Sequence, residues 1–116
     1  MAQDPQKCVF CRIVRKEIPA KLLFENDHVF AFHDIHPQAP VHVLVIPKVH
    51  LDSLQDLASA ELSAELLQGV REVVRRLDLG QAGFRTVINT GRDGGQSVDH
   101  LHLHVLAGRQ LGWPPG

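Results

Sequence analysis

The 116-residue sequence lacks several features that define large classes of proteins. No apolar run approaches the ~18 residues of a membrane span, and the first seven residues lack the apolar centre of a secretion signal. There is no polybasic tract, and the formal net charge of -1 gives no indication of a nucleic-acid partner. We therefore expect a cytoplasmic protein that binds neither membranes nor nucleic acid.

Cysteine is also scarce, with only Cys8 and Cys11. In the cytoplasm both thiols should be reduced, which leaves metal binding, catalysis or burial as their uses. With 44% hydrophobic and 22% charged residues, the chain has the composition of a folded protein rather than a disordered one. Its length suits one core, so we expect a flexible terminus over residues 1–7 and one domain over residues 8–116.

The periodicity of apolar residues predicts an α+β domain with a five-stranded antiparallel sheet and two helices on one face. The predicted helices span residues 8–17 and 59–79, with Ser59 as N-cap of the second. The predicted strands span residues 22–25, 28–33, 41–46, 84–89 and 101–106. The almost wholly apolar third strand should be central and buried. Gly91, Gly94 and Gly95 predict a loop before the last strand.

Eight histidines stand out in this short chain, and three of them alternate as His100, His102 and His104. In a strand, such side chains share one face while the intervening apolar residues enter the core. Three imidazoles on one face are costly to bury without partners. The pattern therefore indicates metal binding, or acid–base and nucleophilic chemistry. The alternative is a solvent-facing strand on which histidine replaces other polar residues.

The segment Gly94-Gly95-Gln96-Ser97, just before these histidines, favours chemistry on an anion. Backbone N–H groups unobstructed by a Cβ atom form anion-binding concavities, and the amide and hydroxyl add further donors. Most Gly-Gly pairs are simple turns. Next to His102 and His104, however, this one predicts a phosphate site.

Several separated motifs resemble the Hint branch of the histidine triad family. They are Asp34-Ile35, Pro37-Gln38-Ala39-Pro40, His42-Val43-Leu44-Val45-Ile46-Pro47-Lys48, Gly94-Gly95-Gln96-Ser97-Val98, His100-Leu101-His102-Leu103-His104-Val105-Leu106 and Trp113-Pro114-Pro115-Gly116. The resemblance spans about residues 8 to 116. It implies the family's α+β fold and a homodimer with a sheet continuous across both subunits.

The resemblance also implies catalytic roles. His102 matches the nucleophile that attacks phosphorus and forms a covalent nucleotidyl-histidine. The backbone carbonyl of His100 would accept a hydrogen bond from the His102 ring and fix its tautomer. His104 and Ser97 would stabilise charge or relay a proton to the leaving group, and His42 would buttress the triad.

Further matches imply a site for a purine nucleotide. Asp34 would bind the ribose hydroxyls, and Gly95, Gln96 and Asn89 would line the phosphate site. The purine pocket would comprise Val9, Phe10, Ile13, Phe32, His33 and Ile35. Some of these apolar residues have the alternative role of core residues. Trp113, in the tail at 108–116, would contact the partner subunit and the substrate.

Cys8 and Cys11 have the C-x2-C spacing of many zinc sites, and His50 and His100 are the best residues to complete a Cys2His2 set. These four residues resemble the zinc ligands of microbial triad proteins. Such a site would be structural, since catalysis by imidazole requires no metal. The alternative is a pair of buried free thiols.

These matches imply hydrolysis of purine nucleoside 5'-phosphoramidates, releasing adenosine or guanosine monophosphate from a P–N bonded amine. Alternatives within the family are hydrolysis of dinucleoside polyphosphates and nucleotidyl transfer. A further alternative is a nucleotide-binding adaptor. Asp99 departs from the Hint pattern, which has an aromatic residue before the triad. It would either raise the pKa of the neighbouring histidines or point to solvent.

Overall fold

A five-stranded antiparallel sheet organises the chain, and the computed structural model describes residues 5–116 of it. The strands are β1 (Leu22–Glu25), β2 (Val29–His33), β3 (Val41–Pro47), β4 (Arg85–Val87) and β5 (Leu103–Ala107). They lie side by side in the order β1-β2-β3-β5-β4, so the antiparallel sheet and the central place of β3 are confirmed. Residues 1–4 of the predicted flexible terminus lie outside the described residues, and residues 5–7 form an exposed turn.

Helix α2 (Ala60–Leu77) covers one face of the sheet. The Ser59 hydroxyl accepts a hydrogen bond from the Leu62 N–H at 3.0 Å, which confirms the predicted N-cap. Gly69 lets the helix approach closely, because a Cβ atom there would lie 3.1 Å from side chains of both Val29 and Val45. Within residues 5–116 no helix is both long and apolar enough to cross a membrane.

The prediction that both helices lie on one face is wrong, because helix α1 (Val9–Val14) packs on the face opposite α2. The reason is that β2 and β3 are apolar on both sides. Val29 and Val45 face α2, whereas Phe30, Phe32, Leu44 and Ile46 face away from it and are covered by α1. The cavity described below opens on this second face.

A third helix, the four-residue α3 (Gly91–Gly94), replaces part of the predicted glycine loop, so the expected number of two helices is also wrong. Gly95, with φ of 78°, ends it in the left-handed conformation. A 3-10 helix, Leu54–Asp56, precedes α2.

The last strand begins at Leu103, two residues later than predicted. The N–H of Leu101 donates instead to the carbonyl of Leu51 at 2.7 Å. The segment before β5 is therefore held by the chain that follows β3 rather than by sheet pairing. This arrangement brings residues 50–52 against the histidine triad.

Candidate active site

A cavity of about 300 Å³ lies between α1 and the sheet, with histidines and a carboxylate at one side and an apolar interior. Its lining comprises Val9, Phe10, Ile13, Ile18, Pro19, Ala20, Phe32, Asp34, Ile35, His36, Leu44, Ser97, Val98, His102 and His104. A concave, mostly apolar pocket with a few convergent polar groups is typical of a small-molecule site. The structure thus brings together most of the residues that the sequence predicts for the nucleotide site.

His102 is almost fully buried, and its protonation follows from its hydrogen bond. Nδ1 lies 2.7 Å from the carbonyl oxygen of His100. A carbonyl only accepts, so Nδ1 carries the proton and Nε2 keeps a free lone pair. Burial lowers the pKa of His102, and the bond to His100 offsets this only in part. The ring is therefore neutral near pH 7, as a nucleophile must be.

His104 has the opposite arrangement of protons. The backbone N–H of Gln38 donates to Nδ1 of His42 at 3.0 Å, so the proton of His42 is on Nε2. His42 Nε2 then donates to Nδ1 of His104 at 2.9 Å, which leaves the His104 proton on Nε2. Burial is the main cause that lowers the pKa of both rings, that of His104 to about 4. His104 is thus a neutral donor of an N–H group.

The Nε2 atom of His104 is buried and, within the described chain, has no hydrogen-bond partner. Leaving a buried donor unpaired costs about 1–3 kcal/mol, which a bound acceptor would recover. The rings of His102 and His104 lie 4.9 Å apart, and both line the cavity. The two rings together present one lone pair and one N–H donor to whatever occupies it.

Asp34 sits at the polar side of the same cavity. Its Oδ1 accepts from the backbone N–H of His36 at 2.8 Å, and its Oδ2 lies 3.5 Å from His42 Nε2. These contacts hold the carboxylate in place while each oxygen retains capacity for a further hydrogen bond. The site thus offers a fixed acceptor for hydroxyl groups.

A second cluster lies behind the triad. The Nδ1 atom of His100 is 3.4 Å from Cys8 Sγ and 3.5 Å from Cys11 Sγ, and the Nδ1 atom of His50 is 3.2 Å from Cys11 Sγ. All four potential ligand atoms lie within 4.8 Å of one another. Sequence reasoning named the same four residues for a zinc site.

The other ring nitrogens of this cluster are held by acceptors. His100 Nε2 donates to the carbonyl of Pro47 at 2.9 Å, and His50 Nε2 donates to Asp52 Oδ1 at 2.7 Å. The neutral form of each ring then presents an unprotonated Nδ1 atom to the thiols. Metal-ligating histidines commonly have such outer partners. Burial raises the pKa of the Cys11 thiol to about 12, and a coordinated cation is the usual means of deprotonating such a thiol. The donor set fits zinc.

The side chain of Gln96 is directed into the protein rather than toward the cavity. Its Oε1 accepts from the Gly91 N–H at 2.9 Å, and its Nε2 donates to the carbonyls of Asp52 and Val98 at 2.6 and 3.0 Å. These bonds use both of its N–H donors. Gln96 therefore shapes the loop, although the resemblance placed it among the residues of the phosphate site. Ser97, in contrast, lines the cavity.

Other predicted residues lie away from the lining. His33 follows Phe32 on β2, so strand alternation turns it to the other side of the sheet. Asn89 and Gly95 flank α3 outside the lining, Trp113 is 81% exposed, and Asp99 is exposed to solvent. His42 supports His104 from behind.

Sequence reasoning missed six lining residues: Ile18, Pro19, Ala20, His36, Leu44 and Val98. Ile18, Pro19 and Ala20 follow α1 in irregular chain, where no periodicity assigns a face. His36 was one of eight histidines with no pattern of its own. Its place two residues after Asp34 in the sequence was the one available signal.

Known proteins share this fold and these elements. The HIT domain matches residues 15–111. The chain is 48% identical over 113 residues to Adenylylsulfatase HINT1 of Arabidopsis thaliana, covering 93% of this chain and 76% of that protein. It is 46% identical over 117 residues to the 14 kDa zinc-binding protein of Zea mays, covering 97% and 91%.

Among solved structures, a HIT family hydrolase from Legionella pneumophila superimposes with a TM-score of 0.92 at 45% identity. The match covers 95% of this chain and all of that one. Together, the fold and the row of histidines define a histidine triad protein. The chain belongs to the HIT domain family, and the resemblance drawn from its motifs is confirmed.

Proposed function

We propose that this protein hydrolyses purine nucleoside 5'-phosphoramidates to a nucleoside monophosphate and an amine through a covalent intermediate on His102. The observation that carries the proposal is the opposite protonation of two neighbouring rings. His102 offers a lone pair on Nε2, and His104 offers an unpartnered N–H on Nε2, in one cavity. A nucleophile beside a donor suits attack on phosphorus, where the oxygens gain negative charge in the transition state.

The reaction has two displacements. In the first, His102 Nε2 attacks phosphorus, the P–N bond to the amine breaks, and the amine leaves with one added proton. His104 Nε2–H and the Ser97 hydroxyl are the donors in the lining for that proton and for the phosphoryl oxygens. In the second, water attacks phosphorus, the bond to Nε2 breaks, and the water's proton is released. The His102 ring, freed of its nucleotidyl group, then returns to its neutral state.

The nucleoside would occupy the remainder of the cavity. Asp34 accepts hydrogen bonds from the ribose hydroxyls, and the purine lies against apolar residues of α1 and β2, including Phe10, Ile13 and Phe32. Ile35, 79% exposed, would cover the base from outside. An apolar slot binds adenine and guanine alike, so we expect discrimination between them to be small.

The Cys8, Cys11, His50 and His100 cluster would hold a structural zinc ion. Through these four ligands a bound zinc ion would tie the N-cap of α1 to the segment after β3 and to the triad. Four protein ligands leave no open position, so the ion takes no part in the chemistry. The relative from Zea mays that is named for zinc binding supports this assignment.

The protein would act as a homodimer in the cytoplasm, with Trp113 in the tail contacting the partner subunit. The exposure of this large aromatic side chain supports the assignment, because such surface is usually covered in an interface. Light scattering on the wild type and on Trp113→Ala tests it. A wild-type monomer at micromolar concentration would contradict the dimer.

A second substrate has specific support. The relative at 48% identity is named an adenylylsulfatase. We therefore include adenylyl sulfate, in which sulfate would replace the amine as leaving group from the same adenylyl–His102 intermediate. The same intermediate would also serve dinucleoside polyphosphate hydrolysis or nucleotidyl transfer.

Steady-state kinetics with purified protein distinguish these functions. Adenosine 5'-phosphoramidate, adenylyl sulfate and diadenosine tetraphosphate are compared by kcat/KM. We expect the phosphoramidate to have the highest value. A higher value for either other substrate would reassign the specificity. Tight binding of adenosine monophosphate without turnover of any of them would instead indicate a nucleotide-binding adaptor.

A further inference from the structure

We infer that the Cys8, Cys11, His50 and His100 cluster positions the nucleophile His102 and the phosphate loop, which is the segment 94–97. Filling the cluster with zinc would then determine catalytic activity as well as stability. The inference rests on the proposed zinc site. It differs from a purely structural role because two connections run from the cluster into the active site, one through His100 itself and one through hydrogen bonds of His50, Asp52 and Gln96.

The first path is a single residue, His100. Its ring is fully buried and faces both thiols through Nδ1, while Nε2 donates to the Pro47 carbonyl. Its own backbone carbonyl accepts the 2.7 Å bond from His102 Nδ1. The ring and the carbonyl are attached to the same Cα atom, and each is held by a hydrogen bond, so we expect a displaced ring to shift the backbone that carries the carbonyl. That carbonyl in turn selects the tautomer of His102.

The second path runs through residues 50–52. His50 faces Cys11 Sγ through Nδ1 and donates to the Asp52 carboxylate through Nε2. The backbone carbonyl of Asp52 accepts from Gln96 Nε2 at 2.6 Å. Gln96 precedes Ser97, which lines the cavity. The metal-ligand segment and the phosphate loop are therefore joined by Gln96, whose amide binds the first residue of α3 as well.

Without a cation, only weak bonds to the thiols, 3.2 to 3.5 Å long, hold the Nδ1 side of the two rings, while each Nε2 keeps its bond to Pro47 or Asp52. The His100 ring would then sample other positions, and its carbonyl would no longer fix the His102 proton on Nδ1. A fraction of His102 would carry the proton on Nε2 and lose its nucleophilic lone pair. Loss of an outer partner or a small misplacement of reacting groups costs about 10- to 100-fold in rate.

Two-bond ¹H–¹⁵N spectra of ¹⁵N-histidine-labelled protein, without substrate, report the tautomer of each ring. We compare zinc-loaded protein with metal-free protein prepared by chelation under reducing conditions. We expect His102 to be purely Nδ1–H when loaded and a mixture of tautomers when metal-free. In parallel, the single-turnover rate of adduct formation should fall about 10-fold or more on zinc removal and return on zinc addition.

Two variants separate the paths from general loss of stability. Val70→Ala truncates a buried residue of α2 and should lower the Tm while leaving the His102 tautomer unchanged. Gln96→Ala should retain one zinc per chain and the His102 tautomer. It should weaken binding of adenosine monophosphate about 10-fold, because only the second path is cut.

A folded metal-free protein with an unchanged tautomer and an adduct rate within about twofold of the loaded protein would overturn the inference. Failure to bind zinc would overturn it as well. If metal removal unfolds the chain, the zinc-loaded Gln96→Ala variant provides the test instead. Wild-type affinity of that variant for adenosine monophosphate would contradict the inference. Because the tautomer is read without substrate, an absence of phosphoramidase turnover would refute the proposed function separately.

Discussion

Two groups of histidines lie close to Phe10, whose ring centroid is 5.9 Å from that of His100 and 5.2 Å from that of His102. In the closed group, His50 and His100 engage both ring nitrogens, one with a thiol and one with an oxygen acceptor. In the open group, which consists of His102 and His104, the Nε2 atom of His104 is buried without a partner in the described chain. Histidines only a few ångströms apart therefore differ in how many of their ring nitrogens have partners.

Under the proposed function, the number of satisfied hydrogen bonds, rather than the residue type, separates a structural histidine from a reactive one. A fully partnered imidazole is fixed and can serve as an anchor. An imidazole with one satisfied nitrogen has a fixed tautomer and one reactive atom facing the ligand. The predictions below change one group at a time.

The largest effect should come from His102→Gly, which removes the nucleophile from the open group. Release of amine from adenosine 5'-phosphoramidate should fall at least about 10³-fold, since removing a nucleophile abolishes the covalent route. Added imidazole should restore part of the rate by filling the space left by the ring. His28→Ala, an exposed histidine far from the cavity, is the control and should keep wild-type kinetics. Comparable losses in the two variants would contradict the assignment.

Breaking the closed group should chiefly cost stability. We expect Cys8→Ser to lose bound zinc and to lower the Tm by about 10 °C or more, as zinc contributes directly to folding free energy. Elemental analysis and calorimetry measure both effects. A chelator should lower the Tm of the wild type but leave that of Cys8→Ser unchanged. Full zinc content in the variant would show that the ligand assignment is wrong.

Substituting His104 should lower kcat with little change in KM, because its N–H is expected to bind mainly the charge that develops on the phosphoryl oxygens. His104→Ala should lose about 10²-fold in kcat, typical for one such donor. His104→Gln offers an amide N–H from a similar position and should lose less. Steady-state kinetics of both variants test this role. Equal losses, or an effect confined to KM, would indicate that His104 only shapes the cavity.

His104 should also make the free energy of unfolding depend on pH in acid. The folded-state pKa of His104 is lowered to about 4 by burial, against ~6.5 in the unfolded chain. Above pH ~6.5 both states hold it neutral, so it contributes no pH dependence. Between ~6.5 and about 4 only the unfolded state binds the proton, so the free energy of unfolding falls by up to ~1.4 kcal/mol per pH unit. Below about 4 this loss levels off.

Chemical denaturation of the wild type and of His104→Gln between pH 4 and pH 7 measures that contribution. The variant should have a shallower slope, because it no longer takes up this proton on unfolding. Identical slopes would place the acid sensitivity in the other buried rings, His42, His100 and His102.

The spacing of residues, together with the family resemblance, was enough to predict much of this site. The alternation of His100, His102 and His104 predicted a common functional face, and the C-x2-C pair with His50 and His100 predicted the cluster that the structure assembles. The cluster was predictable because ligand chemistry is a strong residue preference, and the shared side of His102 and His104 because alternation along extended chain is a local property. The sheet was predictable for the same reason.

The remaining features depend on contacts between distant segments. Residues 100–102 leave the sheet because Leu101 bonds to Leu51, a pairing 50 residues apart that no local pattern encodes. Gln96 is directed inward because the Asp52 carbonyl lies within its reach. Helix α1 covers the second face because β2 and β3 are apolar on both sides, which a helix periodicity read by itself does not reveal.

The most direct test of the central claim is to stop the reaction with adenosine 5'-phosphoramidate during turnover and map the adenylyl group by mass spectrometry. The account predicts a transient acid-labile adduct on the ring of His102, absent from His102→Gly. An adduct on His104 or His42, or turnover that inverts configuration at phosphorus with no adduct at all, would contradict it.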